Sequence, residues 1–146
     1  MTVPREPADL LKSTGYLLAR VGSESRRRFV EALAGQELTL AGYSVLMLLG
    51  RASGRTQREL AGAAGIDPRN LVPVLDDLEA SGLVIREHHP VDRRRHAIRL
   101  TPAGRAKLAR LKDAGVAAER SLLEPLSSAE QKQLHGLLRK LLGPNS

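Results

Sequence analysis

A run of three arginines, Arg93 to Arg95, carries the clearest chemical signal in the sequence. It follows the turn-forming residues Pro90, Val91 and Asp92. An arginine guanidinium stays charged and donates paired hydrogen bonds to phosphates and base edges. The whole chain is basic, with 23 Lys and Arg against 16 Asp and Glu and a net charge of +7. These features favour a polyanionic partner, with nucleic acid as the first expectation and a membrane surface as the second.

Several classes of chemistry are excluded by what the sequence lacks. The absence of cysteine excludes disulfide scaffolds, thiol nucleophiles and Cys-based metal sites. None of the common phosphate-binding, serine-hydrolase or zinc-protease motifs occurs, so we expect no enzyme activity and no cofactor. Three aromatic residues, Tyr16, Phe29 and Tyr43, are too few to stack single-stranded nucleic acid. With no secretion signal and no apolar run near the roughly 20 residues of a membrane span, we expect the cytoplasm.

Four residues of metal-ligating type lie near the arginine run: His88, His89, Asp92 and His96. A metal site is one interpretation of this group. Phosphate contact or simple exposure is commoner at such a position, and we expect no metal. Three further arginines at 26–28 cannot share one helical face, because consecutive helical residues lie about 100° apart. We expect those arginines to be solvated or to pack in a dimer.

Two helices are predicted before the basic region. Apolar residues recur at three- and four-residue steps from Asp9, which predicts a long helix to about Leu33. Thr39 is the expected N-cap of a second helix, which ends before Gly54. The N-terminal part of the chain is therefore helical.

The next stretch has the signals of two short helices joined by a turn. Thr56 and Glu59 form a capping box, so a helix should begin at Gln57. Gly65 suits the left-handed end of that helix. Asp67 followed by Pro68 predicts the start of a second helix. Two helices joined by a short glycine-containing turn form a helix-turn-helix.

The pattern then changes from helix to strand and back to helix. Residues 83–85 and 97–100 are predicted strands of a hairpin whose turn carries the arginine run. Thr101-Pro102 predicts the start of a long helix, and a capping box of Ser127 and Glu130 predicts the last helix. The expected fold is mainly α with a small β-hairpin: a winged helix-turn-helix flanked by further helices.

This arrangement has a direct physical use on double-stranded DNA. A recognition helix fits the major groove, where each base pair shows its own pattern of donors and acceptors. A basic hairpin tip can reach the neighbouring minor groove. The start of the preceding helix, Thr56, Gln57 and Arg58, presents backbone N–H groups suited to phosphate.

Five segments, in order and spacing, resemble the MarR family of bacterial transcription regulators. They are residues 56–61 (TQRELA), 65–72 (GIDPRNLV), 75–84 (LDDLEASGLV), 90–95 (PVDRRR) and 100–104 (LTPAG). The resemblance is specific in sequence over residues 55–108. At the two ends it is limited to the arrangement of helices, which in the family form the dimer. It implies a symmetric homodimer that binds a pseudo-palindromic operator, usually as a repressor of a neighbouring gene. It also implies release by a small anionic or phenolic ligand, since the absence of cysteine excludes direct thiol-based redox sensing.

The resemblance also implies roles for individual residues. Arg94 is the wing arginine expected in the minor groove, beside Arg93 and Arg95, and Asp92 is expected to pair with an arginine and orient the wing. In the recognition helix, base contacts are expected within residues 68–73. The members of that segment expected to face DNA are Pro68, Arg69, Asn70, Val72 and Pro73. Arg69 suits a guanine and Asn70 an adenine.

Two residues depart from the family pattern, because many members carry basic residues at the positions of Pro73 and Asp77. Pro73 has no N–H for the carbonyl of Arg69, which predicts a bend or a slight opening of the helix. Asp77 would repel phosphate if it faced DNA; an alternative is that it pairs with Arg86 or Arg99.

These inferences give a domain plan. Residues 9–36 and 103–142 are expected to form a helical dimerisation region, residues 39–102 the DNA-binding lobe, and residues 1–8 and 143–146 flexible ends. Tyr16 and Tyr43 either line a ligand pocket between the two parts or are ordinary half-buried core residues. The alternative function is a winged-helix module for protein contact or non-specific DNA binding.

Overall fold

The computed structural model describes residues 9–143, so the flexible ends expected at 1–8 and 143–146 lie, except for Gly143, outside the described residues. The chain forms six α-helices and three short strands within this range. In order, these are α1 (Thr14–Ala34), α2 (Leu40–Arg51), β1 (Arg55–Thr56), α3 (Gln57–Ala64), α4 (Pro68–Ala80), β2 (Val84–His88), β3 (His96–Leu100), α5 (Pro102–Leu123) and α6 (Ser128–Leu142). The mainly helical winged helix-turn-helix fold is confirmed.

The start signals of the helices act as predicted. Thr39 Oγ1 accepts a hydrogen bond from Gly42 N at 3.1 Å and caps α2. Thr56 and Glu59 form both hydrogen bonds of a capping box at α3. Asp67 Oδ1 accepts from Arg69 N at 2.8 Å and caps α4. Each cap satisfies a backbone N–H that the helix itself leaves free.

The first helix begins later than the periodicity predicts. Leu10–Lys12 forms a separate 3-10 turn, and α1 starts at Thr14. Ser13 adopts an extended conformation, and its Oγ accepts a hydrogen bond from Tyr16 N at 3.3 Å. Ser13 therefore acts as a cap that interrupts the apolar pattern.

Strand β1 was not predicted. Its two residues pair antiparallel with β3, Arg55 with Ile98 and Thr56 with Ala97, and the sheet order is β1-β3-β2. A strand of two residues is too short to show an alternation of apolar and polar residues. It is recognised as a strand only by its hydrogen bonds to the partner strand. The hairpin strands were predicted, although both are longer than the sequence indicated.

Residues 29–115 form one of two compact units and contain the buried core. This core gathers one face from each of α2, α3 and α4 with the inner residues of β2 and β3. Its largest fully buried side chains are Leu33, Val45, Leu46, Leu49, Leu60, Leu71, Leu75, Val84, Ile98 and Leu111. The unit is held mainly by leucine packing, and it fixes α4 and the hairpin in one lobe.

The junction between the hairpin and α5 is unusually close. Thr101 Oγ1 donates to the carbonyl of Gly82 at 2.6 Å and accepts from Gly104 N at 2.9 Å. A Cβ at Gly104 would lie 2.0 Å from the carbonyl oxygen of Leu83. The L-T-x-x-G segment therefore has a packing role: threonine caps α5, and glycine allows backbone to approach backbone.

The second unit comprises residues 9–28 and 116–143 of the described chain. Arg28 Nη1 donates to Ser121 Oγ at 2.9 Å, which joins α1 to α5 within this unit. Ser127 and Glu130 form the predicted capping box of α6. No residue of these two ranges is fully buried, so the unit leaves much of its apolar surface exposed.

Candidate nucleic-acid interface

The recognition helix α4 buries one face and exposes the other. Leu71, Leu75 and Leu78 are buried in the lobe. The residues predicted to face DNA are all exposed: Pro68, Arg69, Asn70, Val72 and Pro73. Because residues three, four and seven apart share a helical face, the leucine row leaves the opposite face open to solvent.

Arg69 and Asn70 occupy the first turn of α4. The side chain of Arg69 is 94 % exposed, and its Nε lies 3.9 Å from Asp67 Oδ1. A pair this long and exposed holds the guanidinium weakly. Arg69 can therefore reorient toward another acceptor at little cost.

Pro73 lies inside α4, which continues through it from Pro68 to Ala80. The proline removes the donor for the carbonyl of Arg69. A bend at this position stays a prediction.

The start of α3 is more enclosed than the sequence suggested. Thr56 is buried, its Oγ1 accepts from Glu59 N at 3.2 Å, and its own N–H donates to Glu59 Oε2 at 2.7 Å. This hydrogen bond from the Thr56 backbone lowers the pKa of Glu59. Thr56 therefore serves as the cap, while Gln57 is half-buried and Arg58 is exposed.

The wing turn is organised around Asp92. Its Oδ1 accepts from Arg94 N at 3.0 Å, and its carbonyl accepts from Arg95 N at 3.0 Å. Asp92 Oδ2 lies 3.7 Å from Arg95 Nε. The backbone of the turn is thus fixed, and all three arginines, Arg93 to Arg95, are exposed.

The wing histidines are structural contacts that sequence reasoning missed. His88 and His96 face each other across the hairpin, with ring centroids 5.1 Å apart. His89 Nδ1 lies 3.3 Å from Val91 N and 3.4 Å from Asp92 N, as an acceptor inside the turn. Among residues 9–143, no group of three or more His, Cys, Asp or Glu residues is arranged to hold a metal.

The alternative in which Asp77 pairs with Arg86 or Arg99 is wrong. Arg86 binds Asp76 and Glu79 of α4, and Arg99 binds Glu87 of the neighbouring strand at 2.8 Å. Asp76 and Glu79 are three residues apart and share a helical face, whereas Asp77 is turned about 100° from Asp76. Burial opposes the charge of Arg86, but the hydrogen bonds to both carboxylates outweigh it and raise its pKa.

The arrangement of helix, helix and basic hairpin matches a known family. The sequence model of the MarR family matches residues 38–96. The HTH-type transcriptional repressor Rv2887 of Mycobacterium tuberculosis is 34% identical over 127 residues, covering 87% of this chain and 91% of the relative. The chain belongs to the MarR family. MarR-family proteins are transcription regulators, so the expectation of a non-enzyme is confirmed.

Solved structures of MarR-family proteins share the fold. Rv2887 of Mycobacterium tuberculosis in complex with DNA is 32% identical, with a TM-score of 0.74 over 88% of this chain and 97% of that one. The same protein in complex with p-aminosalicylic acid is 32% identical, with a TM-score of 0.70 over 90% of this chain and 99% of that one. CouR of Rhodococcus jostii RHA1 bound to p-coumaroyl-CoA is 33% identical, with a TM-score of 0.68 over 96% and 99%.

The two tyrosines have different surroundings in this MarR-family chain. Tyr43 is half-buried and packs edge-on against Phe29, with ring centroids 5.0 Å apart. Tyr16 is half-buried in the other unit. An open cleft of about 440 Å³ in that unit includes neither tyrosine; its lining residues are Arg20, Val21, Ser23, Glu24, Arg27 and Leu122. A ligand site at Tyr16 and Tyr43 stays a prediction.

No helix within residues 9–143 has the length and apolar character to cross a membrane.

Proposed function

We propose that this protein is a homodimeric repressor that binds a pseudo-palindromic operator in the cytoplasm and controls a nearby gene. The observation that carries the proposal is the pairing, in one lobe, of an open α4 face with an exposed arginine wing. Helix α4 would lie in the major groove, and Arg94 would enter the adjacent minor groove, whose negative potential attracts arginine.

The proposed contacts divide into those that read bases and those that hold the backbone. Arg69 would read guanine and Asn70 adenine, because both are exposed on the first turn of α4. Arg58 and the backbone N–H of Gln57 would hold phosphate. Thr56 is left out of this assignment, because its side chain and its backbone N–H are both engaged in the capping box of α3.

A homodimer is supported by the apolar surface of the unit formed by residues 9–28 and 116–143. Large exposed apolar side chains occur on both of its chain segments: Leu10, Leu11, Leu17, Leu18, Val21, Val116, Leu137, Leu138, Leu141 and Leu142. A monomer rarely exposes so many apolar residues, and a second copy would cover them.

A small-molecule effector is supported by the relatives solved with p-aminosalicylic acid and with p-coumaroyl-CoA. Both molecules combine a phenol with a negatively charged group. We propose an anionic phenolic ligand for this protein.

DNase I footprinting on the promoter nearest the gene tests the DNA-binding proposal. The expected result is one protected region with two-fold sequence symmetry, with half-sites about one helical turn apart. Protection without any sequence preference would support the alternative, a module for non-specific DNA binding. The absence of protection at moderate salt would contradict both.

A thermal-shift series with hydroxylated aromatic acids tests the effector proposal. A ligand that binds the native state raises the melting temperature, by an amount that grows with ligand concentration. The same acids without the hydroxyl group are the matched controls. An active compound must also release the operator, and a shift without release would contradict an effector role.

A further inference from the structure

Arg86 connects the two parts of the lobe that carry the candidate DNA contacts. Its Nη2 donates to Asp76 Oδ1 at 2.7 Å, and its Nη1 donates to Glu79 Oε2; both carboxylates belong to α4. Arg86 itself lies in the middle of β2, paired with Ile98 of β3. One guanidinium therefore ties the recognition helix to the strand that leads into the wing.

Arg86 is the most buried of the three side chains that form the connection. Arg86 is 22% exposed, whereas Asp76 is 58% and Glu79 is 41% exposed. A planar guanidinium can hold two carboxylates at once, and charge-assisted hydrogen bonds of this kind are stronger than neutral ones. Strand β2 carries Arg86, and the Arg86 guanidinium binds the two carboxylates of α4.

Asp76 lies on the exposed face of α4. It follows Arg69 by seven residues, which is almost two helical turns, so both share one face. The connection therefore acts on the side of α4 that would meet DNA. At the other end, β2 continues from Arg86 to His88, the last residue paired before the wing turn.

We propose that Arg86 is a positioning residue, which fixes the separation and angle between α4 and the wing so that both enter their grooves together. This inference rests on the proposed function. For recognition in two grooves, the side chains that contact bases must be held within roughly 0.5 Å of their binding positions. That precision depends on neighbouring residues that support those side chains. Arg86 supplies that support without touching the DNA.

The substitution Arg86→Gln tests this role, with Arg99→Gln as the matched control. Both remove one charge and one ion-paired arginine from the hairpin, but Arg99 binds Glu87 inside the hairpin and leaves α4 untouched. We expect Arg86→Gln to weaken operator binding roughly tenfold, which is a typical coupling within one ion-pair network. We expect Arg99→Gln to keep the wild-type ratio of operator to random-DNA affinity.

Two readouts separate positioning from general structural damage. Random-DNA affinity should stay unchanged in Arg86→Gln, because the arginines of the wing and of α4 are still present. The slope of log affinity against log salt should also stay unchanged, because Arg86 neutralises no phosphate. Equal losses on operator and random DNA, or wild-type binding by Arg86→Gln, would overturn the inference.

A double variant keeps the test decisive if Arg86→Gln does not fold. Asp76→Asn with Glu79→Gln keeps the arginine and removes two negative charges. Positioning predicts a lower ratio of operator to random-DNA affinity despite the gain in positive charge. A simple charge effect predicts tighter binding to both DNAs with an unchanged ratio, which would overturn the inference.

Rescue by lysine gives a third check. Arg86→Lys keeps the charge, but an ammonium lacks the planar fork that holds two carboxylates, so the ratio should fall between the wild-type and Arg86→Gln values. A wild-type ratio would show that charge alone suffices and would overturn the positioning role. A wild-type protein that shows no operator preference would instead contradict the proposed function itself.

Discussion

At the residue scale, the arginines of the hairpin divide into two groups that look alike in the sequence. Arg93, Arg94 and Arg95 are exposed at the wing tip, whereas Arg86 and Arg99 are bound by carboxylates. Sequence patterning identified the basic hairpin, but the acidic partner that it offered for Arg86 or Arg99, as one alternative, was Asp77. The observed partners are Asp76 and Glu79 for Arg86 and Glu87 for Arg99. Ion-pair choice depends on where side chains meet in space, and spacing along the chain does not determine it.

The proposed DNA contacts predict different effects for two exposed arginines. Arg94→Ala should weaken binding to operator and random DNA alike, because a minor-groove arginine acts through charge and groove shape. Arg69→Ala should cost about 1 to 3 kcal/mol on the preferred operator and relax the preference at one base position. Fluorescence anisotropy on an operator and its single-base variants measures both effects.

The control for this pair is Arg110→Ala, which removes an exposed arginine of α5 that has no proposed DNA contact. It should bind the operator as the wild-type protein does. If Arg69→Ala weakens every sequence equally, Arg69 holds phosphate and does not read a base.

Glu24 gives a pH prediction outside the DNA-binding lobe. Hydrogen bonds from Arg27 and Arg28 lower the pKa of Glu24 from 4.5 to about 2. Because the folded-state pKa is the lower one, this contribution to stability is present above pH 4.5 and is lost as the pH falls toward 2. The melting temperature of Glu24→Gln should therefore lie below that of the wild-type protein at neutral pH, and the difference should vanish near pH 2.

Glu119→Gln, on the exposed surface of α5, is the matched control and should show no such pH-dependent difference. A gap between Glu24→Gln and the wild-type protein that stays constant from neutral to acid pH would rule out the ion pair as its source.

At the element scale, the local signals predicted helix boundaries better than the apolar periodicity did. The caps at Thr39, Thr56, Asp67 and Ser127 all mark helix starts in the structure. The periodic pattern alone placed the start of α1 too early, because it does not register the cap at Ser13. Strand β1 could not be predicted, since only its pairing with β3 makes it a strand.

The close approach at Gly104 predicts a large effect of one methyl group. Gly104→Ala places a Cβ 2.0 Å from the carbonyl oxygen of Leu83, so α5 must shift away from the hairpin. The expected loss is about 2 to 4 kcal/mol in the free energy of unfolding. Urea denaturation followed by circular dichroism measures it.

Gly62→Ala is the control for that prediction. It lies inside α3, and nothing stands within 4 Å of the new Cβ. Alanine there should stabilise the helix by about 0.5 to 1 kcal/mol. Equal stabilities of the two variants would show that the junction accommodates the methyl group.

At the scale of the whole molecule, the two units differ in what one copy can bury. Residues 29–115 enclose a leucine core, whereas the described parts of the other unit contain no fully buried residue. The helices and the two hairpin strands of the lobe could be predicted from the sequence, because caps, turns and the change of apolar period are local signals. A dimer surface has no comparable local signal, because its leucines look like core residues until the fold shows them exposed.

The dimer proposal predicts that binding and assembly fail together. Leu137 is 54% and Leu141 is 71% exposed on α6, so replacing both with glutamate should leave the helical content intact. Sedimentation velocity should show a monomer, and operator affinity should fall by about 10²-fold or more because the second half-site no longer binds in the same complex.

Ala129→Glu, at an exposed position near the start of α6, should remain dimeric and serves as the control. Unchanged sedimentation of the double variant would remove the leucine surface as the dimer interface.

The most direct test of the whole account is the affinity of the wild-type protein for its footprinted operator and for random duplex DNA, measured across a range of salt concentrations. We expect operator binding to be at least about 10³-fold tighter than random-DNA binding at physiological salt, with both affinities falling steeply as salt rises. Equal affinities for the two duplexes would contradict sequence-specific recognition by α4 and the arginine wing.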